Sequence, residues 1–409
     1  MASRKSARTR TYDIVLYGAS GFVGRQTAQY LAHYPALAAK GLRWALAGRN
    51  AGKLAEVRSQ CGPAARRAGV LLADCADRSA LDALARDAHV VLSTAGPFAL
   101  YGSELVAACV AHATHYVDIT GETPWVHGLI AAHHERARKD GTRIIPFCGF
   151  DSVPSDLGAW LVQTAMRQRH GQDCVSIKAS YSMRGGVNGG TLASALNMLG
   201  SEQARAFAQP FLLNPPGQRP REVAAHRDPL AASFDRDFNA WLAPFFMGPI
   251  NTRVVRRSAA LLDYGPEFHY QEYLRVGAGL PGALAASAMS AGMLASQFAM
   301  HLAPVRMLAQ RLAPGPGSGP SEASMNAGSF RCELVGHGSD GALVRARIAD
   351  RGDPGNRATT KMVCEAALCL ALQPEMLPAQ PGVVTPASGL GEVLVARLRA
   401  AGMTLEVDP

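Results

Sequence analysis

From residue 12 to residue 170, short apolar runs alternate with longer amphipathic stretches. The runs are YDIVLYG (12–18), LRWALAG (42–48), GVLLAD (69–74), HVVLSTA (89–95), THYVDIT (114–120) and TRIIPFCG (142–149). Most are apolar throughout rather than at every second position, which is the pattern of a strand covered by helices on both faces. Strand and helix taking turns in this way predict an α/β fold built on a doubly wound parallel sheet.

Beyond Asp151 the rhythm changes. A helix through LGAWLVQTAMRQ is followed by a strand, CVSIKASYSM (174–183), and by the glycine-rich RGGVNGGT leading into another helix. The prolines and charges of FLLNPPGQRPREVAAHRDP (211–229) describe an exposed loop, and APGPGSGPSEAS (313–324) reads as a linker. FRCELVGHG (330–338) and ALVRARIAD (342–350) flank a GSDG turn, so they predict an antiparallel sheet in a second, α+β domain. A helix over 358–372 carries Met362, Val363, Ala366, Ala367 and Leu370 on one face and is expected to pack back on the first sheet. The expected division is a disordered basic tail (1–10), a nucleotide-binding domain (11–150), a substrate domain (151–355) and C-terminal helices (356–409).

Residues 276–305 hold no Asp, Glu, Lys or Arg. The stretch is long enough to span a bilayer, yet Ala, Gly, Ser and Met dominate it and Pro281 and His301 interrupt it. Three readings stay open: a membrane span, a helix lying on a membrane or lipid surface, and an ordinary buried helix. Arg275, Arg306 and Arg311 at its flanks lean towards the surface reading.

Composition narrows the function classes. At 409 residues, with 48% hydrophobic and 18% charged residues, the chain is globular and long enough for two domains. The formal net charge of +9 is arginine-led and is concentrated in part in MASRKSARTR at the start. Such a balance suits nucleic acid, an anionic membrane surface or a phosphorylated small molecule. No basic helix interleaved with aromatics and no zinc-finger spacing occurs, which argues against nucleic acid. No apolar core follows the basic head as in a signal peptide, so a cytoplasmic protein is expected, with the inner face of the plasma membrane open to it. The eight cysteines are scattered without a CxxC pair and read as reduced, buried thiols.

The chemistry begins at Gly18-Ala19-Ser20-Gly21-Phe22-Val23-Gly24, a GxxGxxG variant of the dinucleotide fingerprint between the first strand and the first helix. Gly18 permits a tight turn, Gly21 lets backbone amides approach a pyrophosphate, and Gly24 lets the helix lie close to the sheet. The anion then sits on a helix N-terminus. At the end of the second strand, where an NAD site wants a carboxylate, the chain has Arg49, Asn50 and then Lys53. A guanidinium there can stack on adenine and fork onto a 2′-phosphate, so NADP(H) is the expected cofactor. Thr94-Ala95-Gly96-Pro97-Phe98, after the fourth strand, offers small residues on which a nicotinamide can lie. Asp118, Thr120 and Glu122, at the end of the fifth strand, either orient a substrate or cap the next helix. Asp74 either meets adenine or caps a helix.

These motifs, taken in order with Phe150-Asp151-Ser152-Val153-Pro154-Ser155-Asp156-Leu157-Gly158, resemble the saccharopine dehydrogenase-like oxidoreductases. Within them the chain is most similar to the trans-acting enoyl reductases. Gly189-Gly190-Thr191, Asp353-Pro354-Gly355, Thr360-Lys361-Met362 and the tail GVVTPASGLGEVLVARLRAAG extend the resemblance over nearly the whole chain. It is strongest to about residue 200 and thin from 205 to 325. It implies an NADP-binding Rossmann domain, a second α+β domain, and reduction of a lipid-like, carrier-bound enoyl chain in glycolipid or polyketide assembly.

Enoyl reduction needs a proton donor beside the nicotinamide. Tyr101 is the first candidate, with Tyr181 and Asp151 as alternatives. No tyrosine is followed four residues later by lysine, which disfavours a short-chain reductase. No metal-ligand spacing occurs. Two rival readings stand: an NADP-holding sensor or lipid-surface scaffold without turnover, and a saccharopine-type C–N dehydrogenase. The last would use arginines at 219, 221, 227, 253, 256 and 257, which otherwise read as solvated loop charges. The subunit number is open, a homodimer included.

Overall fold

The computed structural model describes residues 10–34, 41–185, 206–300 and 319–409, with residues 302, 304, 305, 307 and 311 between the last two. The basic head before Arg10, the Gly189-Gly190-Thr191 motif with the helix expected after it, and residues 312–318 of the linker lie outside the described residues.

The first half alternates as expected. It runs β1 (Tyr12–Tyr17), α1 (Phe22–Ala32), β2 (Trp44–Gly48), α2 (Ala51–Gln60), β3 (Gly69–Leu72), α3 (Arg78–Asp87), β4 (Ala88–Ser93), α4 (Phe98–Tyr101), α5 (Ser103–Ala111), β5 (His115–Asp118), α6 (Thr123–Asp140) and β6 (Arg143–Ile145). There follow α7 (Val153–His170), β7 (Cys174–Arg184), β8 (Ser233–Asp235), β9 (Ala240–Pro244), α8 (Gly248–Leu261), β10 (His269–Gly277), α9 (Gly279–Met300) and α10 (Glu322–Ala327). The chain closes with β11 (Ser329–Gly338), β12 (Leu343–Arg351), α11 (Thr359–Leu372), β13 (Gly382–Val383), α12 (Pro386–Ala400) and β14 (Thr404–Val407).

The first sheet is seven-stranded in the order β13-β6-β5-β4-β1-β2-β3. All its pairs are parallel. Its inner strands are mostly buried on both faces, which explains their apolar runs, while the edge strand β3 is half-buried with Leu72 exposed. Helix starts follow local chemistry: the Asn50 side chain accepts from the Lys53 amide at 3.0 Å and Asp77 accepts from Ala80 at 3.1 Å. The cap of α3 is therefore Asp77, while Asp74 accepts from the Ala76 amide at 2.9 Å in a local turn. As expected, α11 packs on the first sheet, against β1, β4 and β5 and beside α1. The two-residue β13, which the sequence pattern missed, joins β6 as a seventh strand.

The second sheet has the order β14-β12-β11-β7-β10-β9-β8. It is mixed rather than purely antiparallel, because β10 runs parallel to β7 while the other pairs are antiparallel. The parallel pair arises because the chain between β7 and β10 crosses over through β8, β9 and α8 rather than through a hairpin. α7 lies on one face of this sheet and touches β7, β11, β12 and β14.

Three expectations fail in this half. Phe211, Leu212 and Leu213, assigned to an exposed loop, are buried. Part of the linker is the short α10, with Ser321 accepting from the Ser324 amide at its start. Arg253, Arg256 and Arg257 are not solvated but are 1–2% exposed on α8. Their guanidinium groups hold backbone oxygens: Arg253 Nε donates to Gln209 O at 3.1 Å, Arg256 to Pro210 O at 3.0 Å and Tyr270 O at 3.1 Å, and Arg257 to Leu213 O and to Val383 O at 2.5 Å. These bonds satisfy carbonyls that helices and sheets leave unpaired, which is how a buried cation becomes tolerable.

Candidate active site at the switch point of the first sheet

Strand order reverses between β1 and β4, and in open α/β sheets a crevice opens outside the carboxyl ends at that point. The turn after β1 and the loop after β4 meet there. The Thr94 amide donates to Tyr17 O at 2.9 Å and its hydroxyl to Gly18 O at 3.2 Å. Gly18 has φ of +81°, and a methyl group on it would stand 2.9 Å from the Ala95 nitrogen. A methyl group on Gly24 would stand 2.2 Å from Gly18 O. Both positions therefore exclude a side chain, as the fingerprint requires.

The fit to a dinucleotide rests on what these glycines leave open. α1 begins at Gly21 with no side-chain acceptor for its first amides. Ala19 is buried behind the turn, Val23 faces the core, and the Ser20 carbonyl accepts from Arg25 at 2.9 Å, fixing the loop from behind. Amides without a side-chain cap at a helix N-terminus are groups that could receive an anion. Arg49 stands exposed past β2, with Asn50 occupied as the α2 cap and Lys53 exposed in the first turn of that helix. No Asp or Glu sits at the end of β2 to repel a 2′-phosphate.

The β4 loop is braced from β5. Glu122 accepts from the Phe98 and Ala99 amides at 2.8 and 2.9 Å, so it caps α4 rather than α6, its own helix. Phe98 is buried with its ring 5.8 Å from that of Trp125. Thr94, Ala95 and Pro97 in the loop before Phe98 are half-buried and Gly96 is exposed. Asp118, Thr120 and Glu122, for which substrate contact and helix capping both stood open, turn inward and are at most 1% exposed. Asp118 accepts from Tyr116 OH at 2.9 Å, the Thr120 amide at 3.0 Å and the Phe147 amide at 3.3 Å, and Thr120 accepts from the Glu122 amide at 3.1 Å. A strand end crowded with backbone donors needs acceptors, and these residues supply them.

The three proton-donor candidates separate clearly. Tyr101 ends α4 and is 42% exposed. Tyr181 is fully buried, its hydroxyl 2.5 Å from Ser155 Oγ and its ring stacked 4.5 Å from that of Phe245. Asp151 is half-buried, and burial raises its carboxyl to about 7. No donor among the described residues satisfies that carboxyl. It lies over the end of β5, because a methyl group on Gly121 would stand 3.4 Å from Asp151 Oδ2.

Behind Asp151 is a polar network that sequence reasoning missed. Glu272 on β10 accepts from Asn251 at 2.7 Å, Ser155 at 2.8 Å and Tyr270 at 2.9 Å, and Ser152 donates to Asn251 at 3.2 Å. Burial raises Glu272 to about 8 against the pull of these three hydrogen bonds. A glutamate between two tyrosines in HYQEYLRVG was the available signal. Among the described residues no cluster suited to a metal ion occurs.

Residues 14–145 match the family model of the saccharopine dehydrogenase NADP binding domain. A putative trans-acting enoyl reductase of Mycobacterium tuberculosis is 39% identical over 98% of both chains. A trans-acting enoyl reductase of Mycobacterium leprae is 35% identical over 97% of both. Among solved structures, apo saccharopine dehydrogenase (L-Glu forming) from Saccharomyces cerevisiae superposes with a TM-score of 0.54 at 14% identity, covering 97% of this chain and 99% of that one, which bears on the fold alone. An NADP-binding turn shared with the first of these and an end-to-end match to the second and third place the chain in the trans-acting enoyl reductase family, among the saccharopine dehydrogenase-like proteins.

Proposed function

We propose that the protein is an NADPH-dependent enoyl reductase that saturates the α,β double bond of a lipid-like acyl chain carried as a thioester, in the cytoplasm at the inner face of the plasma membrane. In this reading residues 11–150 hold the cofactor, 151–355 hold the acyl chain, and 356–409 brace the first sheet. The cofactor supplies a hydride for the β-carbon. The α1 amides and Gly21 receive the pyrophosphate, Arg49 and Lys53 the 2′-phosphate, and the Thr94–Phe98 loop the nicotinamide ribose.

The observation that carries the chemistry is Asp151. A carboxyl raised to about 7 by burial, close to Gly121 past β5 and without a donor among the described residues, is suited to act as a general acid. It delivers its proton to the α-carbon as negative charge develops on the acyl carbonyl. Tyr101 lines the mouth of the site, and Tyr181, enclosed with Ser155, steadies the network behind Asp151. The three buried arginines of α8 bind backbone carbonyls of the fold, and Arg253 is also ion-paired with Asp228, which favours an acyl substrate over a carboxylated, saccharopine-like one.

The test follows NADPH absorbance with medium- and long-chain trans-2-enoyl thioesters. The reading requires NADPH consumption, faster than NADH consumption, with a saturated thioester as product. Tight NADPH binding without turnover on any enoyl thioester would favour the sensor.

A further inference from the structure

Within the uncharged stretch 276–305, Gly279–Met300 form α9, and it is an exposed helix rather than a buried one. Gly282, Ala286 and Ser290, four residues apart, are its only buried positions. They make one narrow stripe against β9, β10 and β8. The stripe must be small, because a methyl group on Gly282 would stand 2.6 Å from Gly277 O. Every other face is turned outward, with Leu280 72%, Leu284 64% and Phe298 79% exposed, and Met289 and Leu294 exposed beside them. Phe234 on β8 and Phe246 just past β9 are also exposed, on the elements that flank the stripe.

We infer that α9 is an in-plane membrane anchor, lying on an anionic bilayer surface with its large apolar side chains in the headgroup boundary and its small stripe on the protein. An interfacial helix usually carries its own polar face. Here the second sheet takes the place of that face, which is why a helix with no charge of its own can sit at an interface. A span is disfavoured although α9 is long and apolar enough for one, since crossing would strip the stripe from a water-soluble sheet. Anionic lipid is the chosen partner on charge grounds. The chain carries a formal net charge of +9, and Arg236, between β8 and β9, and Arg311, past α9, are exposed.

The inference is independent of which acceptor the enzyme reduces. It is tested by flotation of the full chain with vesicles of phosphatidylcholine alone and of phosphatidylcholine with phosphatidylglycerol. Binding is expected to the mixed vesicles, weakened by salt, and reduced by roughly tenfold or more in L284E/F298E. That variant should keep NADPH affinity and its turnover of a short soluble enoyl thioester, which shows that it folds. In cells the wild-type protein should be released from membranes by alkaline carbonate. Resistance to carbonate would mean a span, and a change in light-scattering mass in L284E/F298E without a change in flotation would mean that a second copy covers α9. Either result, or no flotation with any vesicle, overturns the inference.

Discussion

Arginine plays opposite parts at the end of β2 and along α8. Arg49 is exposed and makes no hydrogen bond to the described residues, whereas Arg253, Arg256 and Arg257 are buried against the carbonyls of a loop and of Tyr270 and Val383. One keeps its hydrogen-bonding capacity open; the others commit most of theirs to the fold. The same division separates the acids. Asp118 and Glu122 accept from backbone amides, while the Asp151 carboxyl, close to Gly121, has no donor among the described residues. Function is expected where polar capacity is left over, and stability where it is used up.

That contrast can be broken in four ways. The largest effect is expected for Asp151→Asn, which should lower kcat/KM for enoyl reduction by about 10³-fold, or about 4 kcal/mol, with NADPH affinity intact. With the proton held up to about 7, wild-type kcat/KM should fall as pH rises through that value, and the fall should vanish in the variant. An unchanged profile would return the role to Tyr101. Next, Arg257→Met should cost about 2 kcal/mol in denaturant unfolding, because it removes a donor from the Leu213 carbonyl and leaves Val383 O only its contact with His134, and should leave cofactor affinity alone.

Arg49→Ala should do the reverse. Its expected cost is about 2 kcal/mol of NADPH affinity by fluorescence titration, little change for NADH, and a melting curve indistinguishable from wild type. Equal losses for both nucleotides would remove Arg49 from the 2′-phosphate site. A separate check is the pH dependence of stability. Burial raises Asp118, Asp151 and Asp156 to about 7 and Glu272 to about 8, so above pH 4 the native state holds more protons than the unfolded one. Stability should therefore decline as pH rises from 5 to 8, followed by denaturant unfolding at each pH. A rise over that interval would show that hydrogen bonding, not burial, governs these acids.

The first sheet was legible because each of its rules is local. Six of its strands announce themselves as largely apolar runs, Gly24 is dictated by a contact within its own turn, and Gly18 by its positive φ, to which the packing of Ala95 adds a second constraint. β13 escaped because two residues carry no period; only pairing with β6 makes them a strand. In the second sheet the hairpin β11–β12 was visible from its GSDG turn, but β8, β9 and β10 were not. Their registers depend on partners far away in sequence. Glu272 was missed for the same reason, since Ser155 and Tyr270 give it meaning only once α7 and β10 are packed together.

The amino-acid sequence alone determined the parallel sheet, the phosphate-binding turn and the preference for NADP(H), because apolar period, glycine conformation and charge at a strand end are properties of short segments. Tertiary structure decided which arginines and carboxylates are spent on the fold and which remain for chemistry, and that α9 faces outward. The physical reason is that burial and hydrogen-bond satisfaction belong to pairs of groups, and the chain brings most of those pairs together only on folding.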